Sequence, residues 1–311
     1  MTTYLVTGAT GFIGRRLVTR LSETGSSVMC LVSPSRSQSS RLPDVHGVIP
    51  VDGDSTQSLV QTLSDAGPEV VVNLAAQGVS PEARDPQLMI NGNIGVMSRL
   101  IQGLSHSSPR VILHAGSWSE YADSNGSDPI GEDRPIWPRS VYGAAKASAT
   151  IFGNALARET GLPFVTLRLF NVFGIGEAPS RLIPYLIDRL GASEYADLTP
   201  GDQVRDLTYV DDVVDAILLA AEAGLEPYTA YNVCSSRPTA VKWIAETVAD
   251  IMHKPRNLLR FGSIPRRTDE PLEVVGDNTK FVSATGWEPK TTVATGVELM
   301  VAAPSWMNGN E

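Results

Sequence analysis

Short apolar runs alternate with longer amphipathic segments through the first half of the chain. Nearly continuous apolar runs are typical of strands buried on both faces of a parallel sheet, whereas amphipathic segments predict helices that cover the sheet. Strands are predicted at residues 4–6, 28–32, 48–51, 70–74, 111–113 and 162–169, and helices at residues 15–21, 93–104 and 141–158. This alternation predicts a doubly wound parallel α/β sheet with ligand sites beyond the carboxyl ends of its strands.

The pattern becomes less regular after Gly174. Helices are predicted at residues 181–190, 211–223 and 239–252, the last with Thr239 as its N-cap, and strands at 203–210 and 231–233. We expect a first domain over residues 1–173, to which 206–235 return, and a smaller C-terminal α/β lobe over 174–311 that binds the substrate.

A glycine-rich turn joins the first predicted strand to the first helix. Gly8 permits a tight turn, Gly11 lets the backbone approach phosphate groups, and Gly14 allows close helix packing. Glycines alone would fit any tight turn, but their place between a strand and a helix N-terminus predicts a Rossmann-type cradle for a dinucleotide pyrophosphate. The predicted cofactor-binding residues of this turn are Gly8, Thr10, Gly11, Phe12, Ile13 and Gly14.

The end of the second predicted strand has no acidic residue to pair with the ribose 2'-hydroxyl of NAD. Residues 33–37 instead provide three serine hydroxyls and the Arg36 guanidinium, which suit a 2'-phosphate, although they would also suit an ordinary polar loop. We therefore expect NADP(H) ahead of NAD(H), with Ser33 and Arg36 as contacts. Asp52, after the third strand, is placed to accept a hydrogen bond from the adenine amino group, or is simply a turn residue.

Tyr142 and Lys146 lie four residues apart in a predicted helix and therefore share one face. A free phenol has a pKa near ~10, and a neighbouring ammonium lowers it by stabilising the phenolate. The pair is a candidate general acid/base for a hydroxyl or carbonyl group. The same spacing alone would also fit the solvated face of an ordinary helix.

Composition narrows the functional classes. The chain has 311 residues, of which 42% are hydrophobic and 19% charged, as in a globular protein. A net charge of -9 without a basic block argues against nucleic acid as a partner. Two cysteines and four scattered histidines show no metal-ligand spacing. With no apolar run of ~18 residues and no charged leader, we expect a cytoplasmic protein without a membrane span or a metal site.

Together these motifs resemble one family over nearly the whole chain, the extended short-chain dehydrogenase/reductases, and within it the nucleotide-sugar epimerase/dehydratase/reductase group. Matching stretches are 7–14, 73–76, 93–95, 116–117, 142–146, 168–174 and 205–212, with 277–280 and 286–289 nearer the C-terminus. The resemblance implies that Tyr142 is the acid/base, that Lys146 lowers its pKa and binds the nicotinamide ribose, and that Ser117 hydrogen-bonds the reacting oxygen. It also implies a nucleotide-diphosphate sugar as substrate.

The resemblance implies further contacts at both ends of the site. Asn171 and Arg205 resemble contacts to the substrate pyrophosphate, and Arg267 occupies the place of another family arginine, with Arg266 as the alternative register. The remaining expected cofactor contacts are Gly53, Leu74, Ala75, Ala76 and Asn93, and the remaining expected substrate contacts are Ser117, Trp118 and Ser119.

Departures from the family pattern narrow the reaction. Family 4,6-dehydratases carry Asp-Glu directly after the hydroxyl residue, where this chain has Trp118 and Ser119, and the cysteine of the 3,5-epimerising members is absent. Residues 116–121 and 266–271 most resemble 4-ketoreductases that make 6-deoxyhexoses. We expect an NADPH-dependent reductase of an NDP-4-keto-6-deoxyhexose at C4. The alternatives are an NAD-dependent nucleotide-sugar 4-epimerase and a non-catalytic dinucleotide-binding sensor.

A homodimer is the expected assembly. The helix over 141–158 carries Ala147, Ile151, Ala155 and Ala157 beside its catalytic face. The family usually dimerises through this helix and the one over 93–104, which predicts a four-helix interface. The alternative is that these faces only pack on the sheet.

Overall fold

The computed structural model describes residues 1–32, 48–52, 56–79, 85–123, 128–267 and 270–303. The helices are α1 (Phe12–Glu23), α2 (Thr56–Ala66), α3 (Pro86–Met89), α4 (Val96–Gly103), α5 (Val141–Thr160), α6 (Leu182–Gly191), α7 (Val210–Glu222), α8 (Val241–Ile251), α9 (Thr279–Thr285) and α10 (Val293–Ala302). The strands are β1 (Thr3–Thr7), β2 (Ser27–Val32), β3 (Val48–Asp52), β4 (Val70–Asn73), β5 (Val111–Ser117), β6 (Phe164–Leu169), β7 (Asn171–Phe173), β8 (Ala196–Leu198), β9 (Val204–Tyr209), β10 (Ala230–Val233), β11 (Pro238–Ala240), β12 (Leu259–Phe261) and β13 (Glu273–Val274). A π-helical turn, Ile90–Gly95, leads into α4, and 3-10 turns lie at Trp118–Glu120 and Arg256–Leu258.

The chain folds into two compact units. The first contains residues 1–122, 133–169 and 214–231, and the second contains 123–132, 170–213 and 232–311. Of the segment 206–235, which was expected to return to the first domain, residues 214–231 lie in the first unit.

A seven-stranded sheet has the order β10-β6-β5-β4-β1-β2-β3, which confirms the predicted doubly wound α/β class. β1 pairs in parallel with β2 on one side and with β4 on the other, so the strand order reverses there. In such a sheet, ligands bind beyond the carboxyl ends of the strands at the point of reversal. The glycine turn that follows β1 lies at this point.

Helices α2, α4 and α5 contribute to the apolar core that covers the sheet. Leu59 and Leu63 of α2 are fully buried in this cluster with Met97 and Leu100 of α4. Burying a leucine side chain contributes roughly 1.5–3 kcal/mol, so each contact is a substantial part of a domain's stability. The sequence predictions missed α2, although the four-residue spacing of its two leucines is a helical signal.

In the second unit, β9 lies between β11 and β13, with β7 also paired to it. The prediction that Thr239 caps α8 was wrong, because Thr239 lies in β11 opposite Arg205 and the helix begins two residues later at Val241. The Thr239 hydroxyl instead donates to the Arg237 carbonyl at 3.4 Å. Strand pairing therefore overrode the capping preference of threonine.

The C-terminal motif has a structural role. Trp287 is 1% exposed, and its indole N–H donates to the Asp212 carbonyl at 2.9 Å. The Asp212 carboxylate accepts a further bond from the Thr291 amide at 2.8 Å. The stretch that resembles the family's C-terminal pattern thus anchors the start of α7.

Candidate active site

The glycine turn leaves no room for a side chain at Gly8 or Gly14. Gly8 has φ +68°, and a Cβ there would lie 2.7 Å from the Ala75 nitrogen. A Cβ on Gly14 would lie 2.1 Å from the Gly8 carbonyl oxygen. Gly11 is the N-cap of α1 and contributes no side-chain cap to its first-turn amides. Glycine at these two positions therefore lets β1, the loop after β4 and the start of α1 pack closely, and the helix N-terminus is left without a side-chain cap.

A buried hydrogen-bond chain fixes the loop after β4 beside this turn. The Ala75 amide donates to the Thr7 hydroxyl at 3.2 Å, and that hydroxyl donates to the side-chain oxygen of Asn73. The Asn73 amide nitrogen lies 3.1 Å from Nδ1 of His114. Burial, Lys146 and Arg168 lower the pKa of His114 well below its usual value, so the imidazole is neutral.

Asn93 holds the same loop from the other side. It is 3% exposed, and its amide nitrogen donates to the carbonyls of Gln77 at 3.1 Å and Met89 at 2.8 Å. Its side-chain oxygen accepts from the Gln77 amide at 3.3 Å. Through these hydrogen bonds, Asn93 ties the π-helical turn to the loop that carries Ala75 and Ala76.

Helix α5 carries the candidate acid/base pair. Ser140 caps it by accepting a hydrogen bond from the Gly143 amide at 3.0 Å, and the helix ends at Gly161, which has φ 69°. A Cβ on Gly143 would lie 2.2 Å from the Ser119 carbonyl oxygen, so only glycine lets the helix approach the turn after β5 this closely. Tyr142 is half-buried in the first turn of the helix.

Lys146 lies under the end of β5. Its side chain is buried, and its Nζ donates to the Ala115 carbonyl at 2.6 Å, two residues before Ser117. Burial lowers the pKa of Lys146 to about 8, and the negative charge of Glu120 partly opposes this shift. Near neutral pH the Lys146 side chain is therefore mostly in its ammonium form, and it faces the protein interior.

Ser117 is the last residue of β5. Its hydroxyl lies 2.8 Å from the Ser119 hydroxyl and accepts from the Ser119 amide at 3.2 Å. Its own amide donates to the Glu120 carboxylate at 2.7 Å, which completes a capping box over the 3-10 turn. Trp118 and Ser119 are half-buried in that turn.

A buried ionic network beneath Ser117 escaped the sequence predictions. Glu120 is 0% exposed and accepts from Arg168 Nε at 3.0 Å and from the Thr150 hydroxyl at 3.1 Å. Arg168 also donates to the Tyr121 hydroxyl at 2.9 Å and lies over the Tyr121 ring. The spacing of Ser117 and Glu120 is that of a capping box, which is the sequence signal that could have revealed the network.

The second unit brings several arginines together. Arg205 is 13% exposed at its side chain and pairs with Glu270 at 2.6 Å. Burial lowers the pKa of Arg205, Glu270 opposes the shift, and Arg267 and Arg266 add to it. Arg266 in turn donates to the Asp202 carboxylate. The charges of Arg266 and Arg267 therefore act on the Arg205 guanidinium within this unit.

Asn171 begins β7 in the same unit, and its side-chain nitrogen donates to the Asp206 carbonyl at 3.0 Å. The Asp206 carboxylate is fully buried and accepts from Ser235, Ser236 and Gly276. This clasp fixes the backbone at the residue that follows Arg205. The register of Arg205 within β9 is thus firmly set.

Four predicted cofactor contacts cannot be compared with the structure. Ser33, Arg36, Gly53 and the side chain of Asp52 lie outside the described residues. Within the described part of the chain, His, Cys, Asp and Glu form no group of three that could hold a metal ion. None of the described helices is long and apolar enough to cross a membrane.

The family model described as "NAD dependent epimerase/dehydratase family" matches residues 4–234. The chain belongs to this family. The family predicted from the motifs is therefore confirmed, and the protein is an enzyme of the NAD(P)-dependent oxidoreductase type.

Relatives within the family span nearly the whole chain. The CDP-abequose synthase of Salmonella typhimurium is 28% identical and covers 94% of this chain and 95% of its own. The crystal structure of UDP-glucose 4-epimerase with UDP-glucose from Thermotoga maritima is 27% identical, has a TM-score of 0.86, and covers 96% of this chain and 97% of its own. MoeE5 in complex with UDP-glucuronic acid and NAD is 28% identical, with a TM-score of 0.84 and coverage of 96% and 97%.

Proposed function

We propose that this family member is an NADPH-dependent reductase that acts on the C4 carbonyl of an NDP-4-keto-6-deoxyhexose. The observation that carries the catalytic part of the proposal is the placement of Lys146, which is buried with its Nζ 2.6 Å from the Ala115 carbonyl, just before Ser117. A solvated helix face, the alternative for this spacing, would leave that ammonium in water. A protein that only senses the cofactor would not need Ser117, Tyr142 and Lys146 together.

Each of the three side chains has a defined part in the reaction. The bound nicotinamide supplies hydride when the cofactor is reduced. The Ser117 hydroxyl donates a hydrogen bond to the carbonyl oxygen and polarises it. The Tyr142 hydroxyl delivers a proton to the oxygen as charge develops there. The Lys146 ammonium stabilises the phenolate that remains.

Elimination is disfavoured in this site. Dehydration of a sugar needs a base for a carbon-bound proton and an acid for the departing oxygen. The two residues after Ser117 are Trp118 and Ser119, which offer neither. The next residue, Glu120, is 0% exposed and holds Arg168, so its carboxylate is not available to a substrate.

We assign the binding of the sugar nucleotide's diphosphate to residues of the second unit. Arg205, Arg267 and Asn171 are the proposed contacts to its diphosphate, which suits guanidinium groups. Arg205 forms a charged pair with Glu270, so a diphosphate would compete with this carboxylate. Arg266, held by Asp202, is the less suitable of the two adjacent arginines.

Preference for NADPH is supported by composition after β2. The three serines and Arg36 within residues 33–37 provide hydrogen bonds and a positive charge but no carboxylate. A charge-assisted hydrogen bond contributes roughly 1.5–3 kcal/mol, which corresponds to a preference of about tenfold or more. Replacing Arg36 by alanine should therefore remove most of the preference.

A nucleotide-sugar 4-epimerase is the second candidate. It is supported by the names of similar proteins, among them the UDP-glucose 4-epimerases of Thermotoga maritima and of Mycolicibacterium smegmatis. The same Ser117, Tyr142 and Lys146 would serve it, because an epimerase also moves a proton on and off a sugar oxygen. It would differ in retaining its cofactor through each turnover.

A homodimer through α5 and α4 remains our proposed assembly. Ala147 and Ala157 are buried at 4% and 0% exposure, so these two pack within their own chain and do not contribute to an interface. Ile151 and Phe152 are 59% and 44% exposed on α5, and Ile90, just before α4, is 48% exposed. These exposed apolar side chains are the surface that a second copy would cover.

The test of the reaction is an assay with matched cofactors. The purified protein is mixed with NADPH or NADH and an NDP-4-keto-6-deoxyhexose, and nicotinamide absorbance is followed together with the sugar product. The reductase predicts one NADPH consumed for each sugar reduced. A parallel sample with UDP-glucose and no added cofactor tests the epimerase, which predicts UDP-galactose without net consumption.

A further inference from the structure

Glu120 is the one carboxylate in the network beneath Ser117, and each of its oxygens is engaged. One oxygen accepts from the Ser117 amide at 2.7 Å and from the Thr150 hydroxyl at 3.1 Å. The other accepts from Arg168 Nε at 3.0 Å. A carboxylate at 0% exposure with partners on three separate elements is a fixed structural group.

The backbone around Glu120 is shaped to admit the carboxylate. A Cβ on Gly116 would lie 2.7 Å from the Glu120 oxygen that holds Ser117. The residue before Ser117 must therefore be glycine for the carboxylate to reach the strand. A surface salt bridge would not impose this requirement on β5.

The three partners of Glu120 connect the elements that carry the proposed catalytic groups. Ser117 ends β5, Arg168 lies in β6, and Thr150 lies on α5 four residues after Lys146. One helical turn separates Lys146 from Thr150, and another separates Tyr142 from Lys146. Removing Glu120 would release the strand end from the helix that has to face it.

Charges around Lys146 come from several elements. The group whose charge acts on Lys146 is Glu120, from the turn after β5, while Lys146 and Arg168 of β6 both act on His114 of β5. His114 is neutral, because burial lowers its pKa well below its usual value. Glu120 raises the pKa of Lys146 against the lowering caused by burial.

We propose that Glu120 is a positioning residue, whose carboxylate holds Ser117 in place against α5 and whose negative charge acts on the buried Lys146. This inference deepens the proposed function and rests on it for the activity measurement. The titration of Lys146 needs no substrate, so that measurement is independent of the proposed function.

The titration uses selective labelling. The chain contains five lysines, of which Lys146 is buried while the others are exposed or half-buried. In protein labelled with 13C at the lysine Cε, the resonance absent from Lys146→Arg belongs to Lys146, and burial predicts a midpoint of about 8. In Glu120→Gln the midpoint should fall below that of the wild type, because the charge that raises the pKa of Lys146 is lost.

Thr150→Val is the matched control. It removes one hydrogen bond from the same carboxylate without changing any charge, so the Lys146 midpoint should stay near 8. Glu120→Gln leaves Arg168 without its counter-charge and could fail to fold. The double variant Glu120→Gln/Arg168→Gln removes both charges, and its midpoint should fall in the same way because the charge that acts on Lys146 comes from Glu120.

Enzyme activity provides the second measurement. For Glu120→Gln we expect kcat to fall by roughly ten- to a hundredfold through misplacement of Ser117, with the cofactor KM little changed. The alkaline limb of the pH profile should move in step with the Lys146 midpoint. A Lys146 midpoint that is unchanged in both Glu120 variants would overturn the proposal, as would a loss of thermal stability with an unmoved pH profile. If no sugar nucleotide is turned over at all, the proposed function fails while the titration still decides the role of Glu120.

Discussion

At the scale of single residues, the proposed reaction depends on where charges and protons are held. Lys146 was identified from its four-residue spacing to Tyr142, which is a local signal that sequence carries. Its burial and its contact with the Ala115 carbonyl arise from the packing of α5 on β5, which local spacing does not encode. For Glu120, only the capping-box spacing to Ser117 is local, because its other partners, Thr150 and Arg168, are 30 and 48 positions away in the chain.

Replacing Tyr142 by phenylalanine tests the proton donor. The ring is kept but the transferable proton is lost, so kcat should fall by ~10²–10⁴-fold, the usual contribution of a positioned acid or base. Cofactor binding by fluorescence and the melting temperature should stay close to those of the wild type. A variant that turned over at a near-normal rate would show that another group supplies the proton.

Glu177 provides a pH-dependent prediction outside the proposed catalytic groups. Burial raises its pKa to about 7, and one of its oxygens is buried without a hydrogen-bond partner. An unfolded glutamate ionises near pH 4.5, so the folded state is increasingly penalised from about pH 4.5 through 7, and fully above it. Glu177→Gln should therefore be more stable than the wild type at pH 8, by on the order of 2 kcal/mol, and melt at a higher temperature, with the difference vanishing below about pH 4.5.

An exposed glutamate is the control for this experiment. Glu194 pairs with Arg189 at the surface, where ion pairs contribute little. Glu194→Gln should show no comparable pH-dependent difference in melting temperature. If the Glu177→Gln difference were equally flat between pH 5 and 8, Glu177 would be ionised throughout, and its burial would have to be relieved by solvent.

At the scale of elements, the sequence predicts the strands of the parallel sheet well, and the helices and short strands around them less well. The strands of the parallel sheet are continuous apolar runs such as 70–74, which have few alternative interpretations. Helix α2 was missed, and the start of α8 was misplaced because β11 takes up Thr239. The short strands β7, β11 and β13 exist through pairing with β9, and β8 and β12 through pairing with each other. Pairing partners distant in sequence leave no periodic signal within three residues.

The role of the glycine turn between β1 and α1 in cofactor binding can be tested by adding a single methyl group. Gly14→Ala would place a Cβ 2.1 Å from the Gly8 carbonyl oxygen, so the turn must shift. We expect cofactor affinity to fall at least tenfold and stability to fall by roughly 1–3 kcal/mol. Isothermal titration with NADPH and thermal melts provide the two readings.

Gly25→Ala is the comparison for this change. Gly25 has φ +74°, and nothing lies within 4 Å of a Cβ there. Its substitution should cost about 1 kcal/mol of stability through backbone strain while cofactor affinity is kept. Equal loss of cofactor binding in both variants would mean that the turn after β1 is not the cradle.

At the scale of the whole molecule, assembly is open to direct test. If a second copy covers the exposed face of α5, Ile151→Glu places a charge in that interface and should raise the dimer dissociation constant by tenfold or more. Sedimentation velocity at micromolar concentration measures the effect. Leu219→Glu, at a 41% exposed position on α7, should leave the sedimentation coefficient unchanged. A wild-type protein that sediments as a monomer would contradict the dimer.

The central claim is net reduction of a sugar nucleotide by NADPH, and cofactor stoichiometry tests it most directly. The protein is first stripped of bound nucleotide and titrated with NADPH and NADH, and it is then supplied with an NDP-4-keto-6-deoxyhexose and a measured amount of NADPH. The account predicts tighter binding of NADPH and one NADPH oxidised for each 6-deoxyhexose formed. A protein that instead retains NAD through purification and interconverts two sugar nucleotides without consuming cofactor would contradict it.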